Sequence, residues 1–197
     1  MNYLAHIYLS NDNKEITIGN FIADGIKGKK YTEFPKEIQK GILLHREIDS
    51  FTDFHPTVRL STKRLHKIYG HYSGVIVDIL YDHFLAKNWN NYHEQSLEVY
   101  IENFYELLRN NFNILTPKIK RIMPYMIKEN WLLSYATVDG ISKILVKMNT
   151  RTNNTSKMNF AVLELVEYYE EFENEFTSFF EELRIFSNHK ILELKNL

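Results

Sequence analysis

The residues best suited to chemistry are acids and imidazoles set four apart on apolar helices. The segment 73–87, SGVIVDILYDHFLAK, carries Asp78 and Asp82 at i and i+4, hence on one helix face. Val75, Ile76, Val77, Ile79, Leu80, Phe84 and Leu85 surround them on nearly every side, the pattern of a buried helix. Two carboxylates are costly to bury and repel one another at close range. A divalent cation between or beside them removes both difficulties. The structural alternative is a buried pair bonded to Arg or Tyr from another helix. His83 follows about 100° further round the helix, and taken alone it reads as a structural histidine.

A second cluster lies in HREIDSFTDFHP, 45–56. His45 and Asp49 are again i and i+4, Ile38 and Ile42 share their face, and Asp53 continues the series. An imidazole with carboxylates makes a mixed nitrogen and oxygen site suited to Mn²⁺, Mg²⁺, Fe²⁺ or Zn²⁺. A His–Asp hydrogen bond of purely structural purpose has the same spacing. His55 closes the helix. A third cluster is GNFIADGIKG, 19–28, where Asn20 and Asp24 are i and i+4 and Asp24 stands among Phe21, Ile22 and Ile26. Turn chemistry at Gly19 and Gly25 accounts for it equally well. His6, inside LAHIYL, reads alone as a core histidine with its hydrogen bonds satisfied.

Around these acids lie Lys27, Lys29, Lys30, Arg46, Arg59, Lys63, Arg64 and Lys67, and no acidic residue occurs between Phe54 and Val77. Such a surface suits a phosphate or an acidic partner, although a solvated helix face is the commoner outcome. In 164–182 eight Glu occur without one Lys or Arg, which reads as the solvent face of the last helix.

The elements that must position these groups are helices. The chain has 197 residues, 44% hydrophobic and 25% charged, with only 7 Gly and 4 Pro, which fits one domain spanning 1–197 with a real core. Residues 2–10, 14–28, Pro35 to about 53, 56 onward, 73–87 and 94–110 are expected to be helical. Pro117 and Pro124 are expected to break the next stretch. Residues 131–148 form one helix or two broken near Gly140. In 157–195 the apolar stripe is Phe160, Leu163, Val166, Phe172, Phe176, Phe179 and Phe180. The expected fold is therefore an all-α bundle of roughly seven to nine helices.

Cys is absent, excluding disulfides, thiolate ligands and a Cys nucleophile. The net charge of −1 gives no ground for nucleic acid or membrane binding. The N-terminus lacks a basic leader, and no run of 18 apolar residues occurs, so cytoplasmic residence is expected. No phosphate-binding glycine loop, nucleophile elbow or HExxH is present.

At MNYLAHIYLS, GNFIADGIKG, HREIDSFTDFHP and GHYSGVIVDILYDHFLAKNW the sequence resembles the acyl carrier protein phosphodiesterase family. Weaker agreement continues in WLLSYATVDGISKILVKMNTR. The resemblance implies an all-helical fold distantly related to HD-type phosphohydrolases. It also implies hydrolysis of the phosphodiester joining 4′-phosphopantetheine to a serine of acyl carrier protein, with Mn²⁺ as the usual metal. The matching positions are His6, Asn20, Asp24, His45, Asp49, Asp53, Asp78, Asp82 and His83. One departure is that HD enzymes carry an adjacent His–Asp dyad, whereas here Asp82–His83 stands in the opposite order.

The resulting expectation is a metal held by Asp24, His45, Asp82 and His83, with Asp49 or Asp78 as outer-shell group or general base. His6, Asn20 and Asp53 are additional candidates. Arg46 and Arg59 are candidates for the phosphate. The stretch from Arg59 through Lys63 and Arg64 to Lys67 would receive the carrier protein, whose recognition helix is acidic in that family. Two rival readings are a related phosphohydrolase acting on a small nucleotide and a non-catalytic helical binding module.

Overall fold

The computed structural model describes residues 2–195, and among them there are helices, turns and loops but no strand. The α-helices are α1 (Tyr3–Tyr8), α2 (Lys14–Ile22), α3 (Lys36–Phe54), α4 (Pro56–Tyr69), α5 (Ser73–Lys87), α6 (Leu97–Asn110), α7 (Pro117–Lys128), α8 (Trp131–Ser134), α9 (Val138–Arg151), α10 (Ala161–Glu167) and α11 (Tyr169–Lys195). The all-α expectation holds. The count of eleven among the described residues exceeds the expected seven to nine because short helices and local breaks subdivide longer apolar stretches.

Helix α5 runs through the centre and touches α1, α4, α9 and α11. Ile76, Val77, Ile79, Leu80, Tyr81, Phe84 and Leu85 are all buried, as its all-round apolar pattern requires. Helix α3 packs on α2, α4 and α11. Phe172, Phe176, Phe179 and Phe180 of α11 are fully buried against this centre.

Several boundaries follow local chemistry. Side chains of Asn13, Ser96, Thr116 and Thr137 accept N-terminal amides of α2, α6, α7 and α9. Helix α2 stops at Ile22, short of Gly28, and two turns of 3₁₀ helix fill Ala23–Gly25 and Gly28–Glu33. Pro124 does not break α7. It sits on an exposed face, where solvent can take up the carbonyl that its missing N–H leaves unpaired. Gly140 lies inside α9, and the break falls instead at residues 135–137. Phe160, Leu163 and Val166 are exposed, not part of the core stripe, because the turn at Tyr168 separates α10 from α11 and rotates the face. No helix among the described residues is long and apolar enough to cross a membrane.

Candidate metal centre

The site begins with two glycines. Gly19 on α2 and Gly41 on α3 face one another so closely that a Cβ on Gly41 would lie 2.2 Å from the Ile16 carbonyl oxygen, and one on Gly19 would lie 2.2 Å from that of Ile38. The contact brings the α2 backbone against α3 one turn before His45. The carbonyl of Asn20 consequently lies 2.8 Å from His45 Nδ1.

Asn20 is fully buried and its amide orientation follows from its partners. Its Nδ2 donates to the His6 carbonyl at 2.8 Å and to Ser10 Oγ at 3.1 Å. Ser10 Oγ donates in turn to the same His6 carbonyl at 2.9 Å. Asn20 Oδ1 is left as an acceptor, 2.8 Å from His6 Nδ1. Both imidazoles therefore donate their Nδ1–H to Asn20, one to the side chain and one to the backbone. This fixes the tautomer that leaves Nε2 available, as in metal-ligating histidines. The two rings stack with centroids 4.0 Å apart and planes 21° from parallel.

The two Nε2 atoms meet carboxylates. His6 Nε2 lies 3.3 Å from Asp49 Oδ1. His45 Nε2 lies 3.1 Å from Asp49 Oδ2 and 3.3 Å from Asp24 Oδ1. Single ligand atoms of His6, His45 and Asp49 fall within 4.8 Å of one another. Asp24 and Asp49 are each almost half exposed, while both imidazoles are buried, so the site opens on its carboxylate side. A cavity of about 20 Å³ bounded by Tyr3, His6, Asn20, Phe21, Asp24 and His45 adjoins it.

Electrostatics separate the two histidines. Burial, with the neighbouring His45, lowers His6 to about 4, so it is neutral near pH 7. Burial opposes charge on His45 as well, but hydrogen bonds to Asp24 and Asp49 outweigh it and raise the ring to about 9. Burial also opposes charge on Asp49, yet the His45 hydrogen bond holds its carboxyl well below the usual range. The His45 hydrogen bond lowers Asp24 likewise. His6 Nε2 is a buried polar atom with no hydrogen-bond partner, which costs stability unless something fills the need. The two Nε2 atoms and the Asp49 carboxylate, with Asp24 beside His45, have the chemistry of a donor set for a divalent cation, and such an ion would meet the need of the orphaned Nε2.

The structure thus gathers His6, Asn20, Asp24, His45 and Asp49. It does not bring Asp82 and His83 to them. Asp82 is fully buried, and its oxygens accept the α1 amides of Leu4 at 2.8 Å and Ala5 at 3.2 Å. It caps the helix that carries His6. Burial raises its carboxyl to about 7. His83 Nδ1 donates to the Tyr135 carbonyl at 2.7 Å, and its Nε2 meets the Tyr169 hydroxyl at 2.8 Å. Asp78 is half-buried; burial, with the charges of Asp49 and Asp53, raises its carboxyl. Asp53 is exposed one turn beyond Asp49.

The cations are distributed differently from the expectation. Arg46 donates to the carbonyls of Ile26 at 3.1 Å and Gly28 at 2.8 Å, with its guanidinium 5.2 Å from the Tyr31 ring centre, and so ties the 26–34 segment to α3. Arg64 forms a two-point ion pair with Glu175, at 2.8 and 2.6 Å, beside Phe172. Arg59, Lys63 and Lys67 are exposed. The acidic run is not simply a solvent face: Glu164, Glu173, Glu175 and Glu182 reach Tyr69, Lys87, Arg64 and His55. The expectation missed the Gly19–Gly41 contact and Ser10; a pair of glycines at one helix crossing is the signal that would have pointed to the former.

The family model described as "Acyl carrier protein phosphodiesterase" matches residues 1–183. Curated proteins of that name are similar along nearly the whole chain. The one from Pectobacterium atrosepticum is 27% identical over 181 residues, 91% of this chain and 94% of its own. That from Yersinia pestis is 27% identical over 191 residues, 96% and 99%. That from Escherichia coli is 26% identical over 196 residues, 98% and 100%. No solved structure matches the chain. With a donor set of this kind in its α1–α3 motifs and a family model matched over almost all of its length, the chain belongs to the acyl carrier protein phosphodiesterase family.

Proposed function

We propose that the chain, as one helical catalytic domain over 1–197, is a metal-dependent phosphodiesterase. It removes 4′-phosphopantetheine from holo-acyl carrier protein and leaves the apo-carrier. The observation that carries this reading is the pair of Nε2 atoms of His6 and His45, both turned by Asn20 toward Asp49. His6, His45, Asp49 and Asp24 would hold the cation, with Mn²⁺ as the metal expected. A divalent cation there would polarise a phosphoryl oxygen and acidify water. Asn20 accepts the Nδ1–H of both rings and so leaves Nε2 as the nitrogen a cation would take, displacing the proton that His45 Nε2 otherwise carries, and the half-exposed Asp24 and Asp49 leave an open side for a phosphodiester. Asp78, half-buried, with its carboxyl raised by burial and by the charge of Asp49, is the candidate to accept a proton from attacking water.

The shape favours a protein-borne substrate over a free nucleotide. The cavity at the histidines holds about 20 Å³, far below what encloses a small-molecule ligand. A phosphodiester presented on a flexible arm needs only an open mouth. Purified protein incubated with holo-carrier and Mn²⁺, read by intact-protein mass spectrometry, is the test. The expected result is loss of the phosphopantetheine mass, abolished by EDTA and by His45→Ala. Unchanged carrier in the presence of bound metal would refute the reading.

A further inference from the structure

The helix α7 carries Lys118, Arg121, Tyr125 and Lys128 at i, i+3, i+7 and i+10, which places them on one stripe. All four are exposed, and residues 116–128 contain no Asp or Glu. The opposite face, with Ile119, Met123 and Met126, is buried, so the stripe is held outward. It begins at the candidate metal centre, where Lys118 Nζ lies 3.9 Å from Asp24 Oδ2. It extends about 15 Å away from there at the α-helical rise. At the end of α9, exposed Arg151 contributes to the potential at Tyr3, a residue bounding the same cavity. The basic stretch on α4 has no comparable link. Arg64 is occupied by Glu175, and among the described residues no ion pair joins Arg59, Lys63 or Lys67 to Asp24 or Asp49.

We propose that the α7 stripe of Lys118, Arg121, Tyr125 and Lys128 is the docking surface for an acidic helix of a partner protein, which lies along α7 and delivers its phosphodiester to the carboxylate side of the site. The proposal rests on the carrier-protein reading above and names where the carrier sits. The stripe's cations, of which Lys118 faces Asp24 and Lys128 adjoins Glu129, raise the encounter rate with an acidic face, and the exposed Tyr125 at the centre gives an amphipathic contact. The position of Lys118 couples docking to the site, since a helix aligned on the stripe ends beside Asp24.

The test compares Arg121→Glu/Lys128→Glu on α7 with Lys63→Glu/Lys67→Glu on α4, all at exposed positions, after thermal melts have shown that both proteins fold. Two readouts are taken: the KM for holo-carrier, and binding of apo-carrier by titration at low and moderate salt. The α7 variant is expected to raise KM and weaken apo-carrier binding by roughly tenfold or more and to flatten the salt dependence, while the α4 variant behaves as wild type. Weakening by the α4 variant alone, or by neither, overturns the proposal. If the wild type hydrolyses no holo-carrier, the catalytic reading fails, and apo-carrier binding still decides docking: loss in the α7 variant alone supports the stripe, whereas no binding to the wild type overturns it.

Discussion

His6 and His45, 39 positions apart in the chain, stack face to face with ring centroids 4.0 Å apart and hand both Nδ1 protons to Asn20. Two basic rings in contact are favourable only if at most one is charged, and the structure meets that condition by keeping His6 neutral and His45 between two acids. Asn20→Ala removes the side-chain acceptor for His6 but leaves the backbone acceptor for His45. We expect metal affinity to fall by roughly 10- to 100-fold, measured by titration calorimetry with Mn²⁺, with one ion still bound per chain. Unaltered affinity would remove Asn20 from its positioning role.

The proton on His45 and a cation compete for one place. In the metal-free protein the His45 pKa, about 9, stands above its ordinary value of 6.5. A raised folded-state pKa stabilises below the unfolded value and is lost as pH climbs through the folded one. Asp82, raised to about 7 from 3.8, gives its own loss over that lower interval, so the interval from 7 to 9 belongs to His45. Urea denaturation in EDTA should show stability declining across pH 7–9. His45→Gln should abolish that decline. Saturating Mn²⁺ should suppress it and release a proton on binding, detectable as a buffer-dependent enthalpy.

Much of this centre was legible in the sequence, because i and i+4 spacing fixes which residues share a helix face. That logic found His45 with Asp49 and Asn20 with Asp24, and the all-round apolar pattern of 73–87 correctly gave a central helix. It cannot tell which face meets which. Asp78 and Asp82 share a helix, yet Asp82 turns to the amides of α1, a partner set by tertiary packing. His6 looked like an ordinary core histidine because its companions come from α2 and α3. Arg64, expected in the stretch that receives the carrier protein, and Glu175, expected on a solvent face, are 111 residues apart, and their pairing was hidden for the same reason.

Asp82 offers a sharp separation between ligand and helix cap. Asp82→Ala leaves the Leu4 and Ala5 amides buried without their acceptor, at a cost of roughly 1–3 kcal/mol each at most. We expect a fall in Tm of several degrees, and a smaller one for Asp82→Asn, which keeps one acceptor oxygen. Metal stoichiometry in Asp82→Asn should remain that of wild type. Loss of the metal from a folded Asp82→Asn protein would return Asp82 to the coordination sphere.

Gly41→Ala tests how the site is assembled. The added methyl would lie 2.2 Å from the Ile16 carbonyl oxygen and 2.8 Å from the Asn20 amide nitrogen. Both are backbone atoms, so no side chain can swing aside and α2 must move away from α3. Overpacking of this kind costs roughly 1–3 kcal/mol, which should appear as a lower Tm. The movement also draws the Asn20 carbonyl from His45, so metal affinity should fall together with stability. By contrast Gly74→Ala, inside α5 where a Cβ meets nothing within 4 Å, should leave Mn²⁺ affinity unchanged and raise Tm slightly rather than lower it. If Gly41→Ala lowered Tm while leaving Mn²⁺ affinity intact, the glycine contact would be a packing device only, and the orientation of His45 would have to come from Asp24 and Asp49.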